Sequence, residues 1–237
     1  MVWLTQALCG ATLIGYAPYF YEQAGFNQGE SFKLATGVFG LAILGNMISW
    51  PLLPRIGRRQ LYIWGLLVLF AVQLSAALVS VTVSEHDSLN WIIGSLVMGL
   101  IFAYNITIGP VCYTLVAEIP STQLRLRTVV LARVAYNCAT IGNNILTPLM
   151  LNPTAWNWRG KSCFWFTATT LLCLAWCFYR LPESKGLSYL ELDILFAKNA
   201  PAHKFRQFQI NLESSGYLGL NQVESSPGIW HGWRGYS

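Results

Sequence analysis

Residues 52–61 read "LLPRIGRRQL", with three arginines (Arg55, Arg58, Arg59) set between two long stretches that carry no charge. Outward from that loop the chain stays apolar. Its 237 residues are 54% hydrophobic and 11% charged, with a mean hydropathy of +0.44, whereas an average soluble domain is about 25% charged. So few charges cannot cover the surface of a water-soluble fold of this size. Ten Trp, eleven Tyr and twelve Phe suit a chain whose aromatic rings settle at the membrane interface. The composition points to an all-α membrane protein that crosses the bilayer several times.

A crossing helix needs about 20 apolar residues, because 1.5 Å per residue must span a hydrocarbon core of about 30 Å. Six stretches qualify: residues 2–21, 34–53, 62–83, 89–116, 129–151 and 163–181. Helices are expected because each backbone polar group must find its partner inside the span. Alternation over about ten residues, the mark of a barrel strand, is missing. The linkers are short: "EQAGFNQGES", "PRIGRRQL", "SEHDS", "EIPSTQLRLRT" and "NPTAWNWRGK". Taken alternately, they put Arg55, Arg58, Arg59, Arg125, Arg127, Arg180 and Lys185 on one side. Lys33, Arg159 and Lys161 fall on the other, among Glu22, Glu30, Glu85 and Asp87. Positive residues are retained on the cytoplasmic side, so the arginine loop and both chain ends are expected there. Residues 1–186 form the expected six-helix domain. Residues 187–237 form a cytoplasmic tail, Gly- and Ser-rich and without apolar period after about 197, that reads as largely disordered. No cleavable signal peptide is visible, so the first span is expected to direct insertion.

Other classes find little support. The net charge of +5 is scattered over short linkers rather than gathered into a phosphate-tracking surface, which argues against nucleic acid. The six cysteines (Cys9, Cys112, Cys138, Cys163, Cys173, Cys177) lie in apolar runs without metal-ligand spacing. No nucleophile elbow, zinc helix or phosphate-cradling glycine loop occurs. No enzyme chemistry and no cofactor are expected.

At span depth the polar residues are mostly uncharged: Gln6, Thr12, Tyr16, Asn46, Asn105, Tyr113, Asn137, Asn143 and Asn144. Amides and hydroxyls both donate and accept, which fits a neutral polyhydroxylated ligand. The same groups serve equally for hydrogen bonding between helices. Glu118 is an acid near a span end, expensive unless paired. Glu118 and Glu183 are expected to form a charge network with Arg55, Arg58, Arg59 and Arg125. That network either latches one conformation or anchors helix ends to headgroups. Gly37, Gly40, Ala42, Gly45, Gly94 and Gly99 are expected to let helices approach closely. Pro18, Pro110 and Pro148 interrupt spans.

Four motifs in order carry a family resemblance: "RIGRR" (55–59), "GPVCYTLVAEIPSTQLRLRT" (109–128), "LTPLMLNPTAWNWRGK" (146–161) and "LPESKGLSYLELDILF" (181–196). The chain resembles the C-terminal six-helix half of sugar transporters of the major facilitator superfamily, of the fungal maltose or α-glucoside permease type. The resemblance implies a proton-coupled or facilitative carrier, with sugar held between two six-helix halves in the plasma membrane. It implies sugar contacts at Gln6, Tyr16 and Tyr113, to which the polar reading adds Thr12, Asn46, Asn105 and Asn137 as candidate substrate-binding residues, and it implies gating charges at Arg55, Arg58, Arg59, Glu118, Arg125 and Glu183. Several positions depart from the hexose-carrier pattern: Ala7 replaces a glutamine, Thr12 an asparagine, and Asn137 a tryptophan. A separate N-terminal half or another copy of the chain is the expected protein partner, with lipid around both. Two other readings stay open: a non-transporting sugar sensor or interaction protein, and an inactive truncated fragment.

Overall fold

The computed structural model describes residues 1–23, 27–82, 90–120, 125–152, 156, 158 and 161–181. Glu183, the PESKG segment and the tail fall outside them. The described residues are helical, without a strand. In chain order they form α1 (Val2–Gln6), a π-helical turn (Ala7–Ala11), α2 (Thr12–Gly15), α3 (Ala17–Gln23), α4 (Gln28–Arg55), α5 (Arg58–Thr82), α6 (Asn90–Ile106), α7 (Ile108–Glu118), α8 (Arg125–Leu151) and α9 (Ser162–Arg180).

Two of the expected spans are broken, and proline accounts for much of this. A proline ring collides with the carbonyl four residues before it and removes one helical donor. Four residues before Pro110 stands Ile106, where α6 stops. Thr107 then takes φ −112° and ψ −79° before α7 resumes. Its hydroxyl covers a carbonyl at the joint by donating to Ala103 O at 2.7 Å. Four residues before Pro18 stands Ile14, in the last turn of α2, which stops at Gly15, and Tyr16 leaves helical geometry. Pro51 and Pro54 lie inside a continuous α4, and Pro148 inside a continuous α8. A third break owes nothing to proline: in the π turn, Gly10 adopts φ +91°.

Among the described residues, four helices are long and apolar enough to cross a membrane: Gln28–Arg55, Arg58–Val81, Gly94–Glu118 and Ser162–Arg180. The other two expected spans fall short of that measure for different reasons. The first is divided into pieces, leaving Val2–Gly15 as a short apolar helix. The fifth, α8, has 27 residues but spends too many positions on Arg127, Arg133, Asn137, Asn143 and Asn144.

Helix α5 is the scaffold. Tyr62, Leu66, Leu69, Gln73, Ala76 and Ala77 are buried on one face at helical spacing, with Trp64, Leu67, Val68 and Leu78 exposed opposite. It packs on α6, α7 and α9, while α4 packs on α3 and α6. The core splits into two clusters near the π turn. One gathers Val2, Trp3, Cys9, Tyr62, Tyr104, Ile108 and Cys177. The other gathers Leu13, Ala17, Tyr21, Val38, Ala77, Ile101 and Phe166.

The alternating order of the helices is visible in polar ties at each end. Tyr62 Oη donates to Val2 O at 3.1 Å, and Arg59 Nη2 to Phe178 O at 2.8 Å. Those ties, with the Arg58–Glu118 pair, gather the start of α1 and α5 and the ends of α7 and α9. At the opposite end, Tyr19 Oη donates to Leu151 O at 2.8 Å. Small residues act unevenly. A Cβ on Gly45 would stand 3.2 Å from Asn105 Cβ, and one on Gly94 3.2 Å from the Tyr21 ring. Gly37, Gly40 and Gly99 have open space at that point, so the expected close approach is made at two of these glycines.

Candidate functional site

The broken first segment packs against α6, α7, α8 and α9. α1 lies against α7 and α8, the π turn against α8 and α9, and α2 against α8. Along it, three buried polar atoms lack a hydrogen-bond partner among the described residues: Trp3 Nε1, Gln6 Oε1 and Thr12 Oγ1. A buried polar group without a partner is costly, and its persistence calls for an explanation. One is a donor, one an acceptor and one both.

Aromatic and cationic groups stand beside them. The Tyr113 ring meets Trp3 edge-on, with centroids 6.2 Å apart. The Arg133 guanidinium lies 5.3 Å from the Trp3 ring centroid and 4.7 Å from that of Tyr136, within cation–π range of both. The described residues place no carboxylate in ion-pair range of Arg133. Tyr104 faces Gln6 from α6. The result is a wall of stacking faces, one positive charge and unsatisfied hydrogen-bonding atoms, built from α1, α2, α6, α7 and α8.

The expected sugar contacts distribute as follows. Gln6 and Thr12 stand in the broken segment with open valence. Tyr16 is half-buried at the α2–α3 joint. Tyr113 is 54% exposed and leans on Trp3. Asn46 on α4 and Asn137 and Asn144 on α8 are exposed. Asn105 donates to Ile101 O at 2.8 Å, within its own helix. Asn143 is buried and donates to Ala7 O at 2.9 Å, so its amide is spent on the fold.

Of the expected charge network, Arg58 Nη2 reaches Glu118 Oε1 at 3.3 Å. Arg59 instead donates to a carbonyl in the last turn of α9, the negative end of that helix dipole. Arg55 is exposed at the end of α4 and Arg125 at the start of α8.

Three residues important here escape a reading of the sequence. Gln73 is fully buried and bridges α5 to two other elements. It donates to Cys9 O at 2.6 Å and accepts from Thr170 Oγ1 at 2.9 Å. Thr169 donates to Leu8 O at 2.8 Å. Arg133 completes the aromatic pair. Gln73 and Arg133 carried a signal, a lone amide and a lone charge inside long apolar runs. Thr169 carried none, as one of many threonines.

The model of the family described as "Sugar (and other) transporter" matches residues 1–196. The chain belongs to that family. This sugar-transporter chain is 37% identical over 207 residues to the General alpha-glucoside permease of Saccharomyces cerevisiae, a match covering 86% of the chain and 33% of the yeast protein. It is 36% identical over 211 residues to Maltose permease MAL31 of the same yeast, covering 89% and 34%. The chain thus spans about a third of the length of the curated relatives it matches. The solved xylose transporter XylE from E. coli, in its inward open conformation, matches with a TM-score of 0.57 at 20% identity. That match covers 78% of this chain and 41% of the other. At that identity the likeness is one of fold. It bears out the all-α transporter architecture, and the permease relatives bear out the fungal resemblance. The chain is a membrane protein of the sugar-transporter family.

Proposed function

We propose that this chain supplies the C-terminal wall of a carrier that moves an α-glucoside such as maltose, or a hexose, across the plasma membrane. The observation that carries the reading is the row of partnerless atoms on the broken first segment, Trp3 Nε1, Gln6 Oε1 and Thr12 Oγ1. A sugar hydroxyl can donate to Gln6, accept from Trp3 and do either with Thr12. The exposed Tyr113 ring offers an apolar face to a pyranose. The permease relatives support the same substrate class.

Broken helices near the bilayer midplane, where backbone is irregular only against a cavity, are the usual site-formers in transporters. Alternating access then needs a second half for this wall to rock against. The charge pair Arg58–Glu118 would act as a latch at the cytoplasmic end, with Arg55, Arg59, Arg125 and Glu183 around it. Both chain ends lie on that side by the distribution of arginine. The role is binding and movement of solute, with no bond made or broken.

The test is uptake of labelled maltose and glucose by transporter-deficient yeast cells that express this chain together with the N-terminal half of a relative. Maltose uptake above that of either half alone is expected. Equal counts with and without this chain would refute the proposal.

A further inference from the structure

The π turn is held from three sides. Its consecutive carbonyls Ala7, Leu8 and Cys9 each accept a hydrogen bond from a different helix: Asn143 of α8 at 2.9 Å, Thr169 of α9 at 2.8 Å and Gln73 of α5 at 2.6 Å. Within a bilayer, carbonyls released from the regular ladder must be answered by neighbouring groups. Gln73 is the centre of this arrangement. It is fully buried on the scaffold helix, and its own carbonyl oxygen is taken by Thr170 Oγ1 at 2.9 Å. Gly10 matches it, since a Cβ there would come within 2.6 Å of Gln73 Nε2.

The break so held separates Gln6, the last residue of α1, from Thr12, the first of α2. The phase of the turn therefore sets how Gln6 and Thr12 face one another. In an uninterrupted α-helix two residues six apart would be separated by about 120° around the axis, at 3.6 residues per turn.

We propose that Gln73, locked by Thr170, is a positioning residue for the sugar site. It never touches the ligand. By fixing the Cys9 carbonyl it fixes the π turn, and with it the direction of Gln6. The idea rests on the sugar-site reading given above.

Three variants of the chain in lipid nanodiscs test it: Gln73→Leu, Thr170→Val and Thr170→Ser. Two quantities are read: the dissociation constant for labelled maltose, and alkylation of Cys9, followed by mass spectrometry of its peptide. Cys9 is fully buried in the turn, so the wild type protects it. Gln73→Leu and Thr170→Val should weaken maltose binding about five-fold or more, on the order of one lost hydrogen bond to a buried partner. Both should also open Cys9 to reagent. Thr170→Ser keeps the hydroxyl and should match the wild type in both readings. If Gln73→Leu fails to fold, Thr170→Val against Thr170→Ser still decides. Wild-type affinity and a protected Cys9 in Thr170→Val would overturn the proposal, as would equal losses in Thr170→Val and Thr170→Ser. Absence of maltose binding by the wild type would instead defeat the sugar reading. The clamp would then stand or fall on Cys9 alone.

Discussion

Thr12 holds a buried hydroxyl that no described neighbour satisfies, which separates its role in binding from its role in folding. Thr12→Val keeps the shape and removes a group that makes no internal bond. Stability should therefore hold or rise slightly, since an orphan polar atom is removed. Maltose binding should weaken about two- to ten-fold, the worth of one hydrogen bond of about 0.5–1.5 kcal/mol. Calorimetric melting and ligand titration on the same preparation measure both. Gly10 predicts the reverse pattern. At φ +91° an alanine is strained, and its Cβ would press on Gln73 Nε2. Gly10→Ala should cost about 1–3 kcal/mol and lower the melting temperature in detergent. The sequence could not sort these polar residues. Gln6 and Thr12 read like Asn105 and Asn143, yet two are spent on backbone carbonyls and two are not. For Asn143 that difference depends on a residue far away in the chain.

At the level of elements, two of the three breaks are written locally. Pro110 stands four residues after the last residue of α6 and Pro18 three after the last of α2, within the turn that proline sterics disrupt. The π turn is not written locally, because the groups that satisfy it come from α5, α8 and α9. Without them the run from Val2 reads as one apolar span. The polarity of α8 was legible in its arginines and asparagines, although its consequence was not. It lies chiefly against the broken segment, where Asn143 donates to the Ala7 carbonyl and Arg133 lies over the Trp3 ring. Helix α5 serves both broken segments. Gln73 holds the first, and Gly65 makes room for the Thr107 joint, where any Cβ would collide with the threonine side chain. Gly65→Val should therefore destabilise by about 1–3 kcal/mol through overpacking. Thermal unfolding of Gly65→Val beside Gly99→Val, whose Cβ would meet open space, isolates that effect.

Across the whole molecule, charge is sorted by end. The Arg58–Glu118 side chains are 24% and 27% exposed, and a pair so placed is worth roughly 1 kcal/mol or less. Its loss in Arg58→Ala should barely change melting, even if the equilibrium between carrier conformations shifts. A Cys at Gly57, between α4 and α5, should react with an impermeant maleimide only after cells are permeabilised. A Cys at Trp158, between α8 and α9, should react in intact cells. The reverse labelling would invert the assigned orientation. The helical class and the family were legible in the sequence, because hydropathy and motif order are properties of single segments. The wall itself was not, because it is a property of five segments together.

Equilibrium binding of labelled maltose to wild-type chain and Gln6→Ala, both in lipid nanodiscs, bears most directly on the wall. Gln6 presents a buried carbonyl oxygen with no described partner, so a sugar hydroxyl should bind to it. Saturable binding by the wild type, weakened about five-fold or more in Gln6→Ala with helical content unchanged, is the expected result. Equal affinity in the two proteins would mean that the broken segment is not where sugar is held.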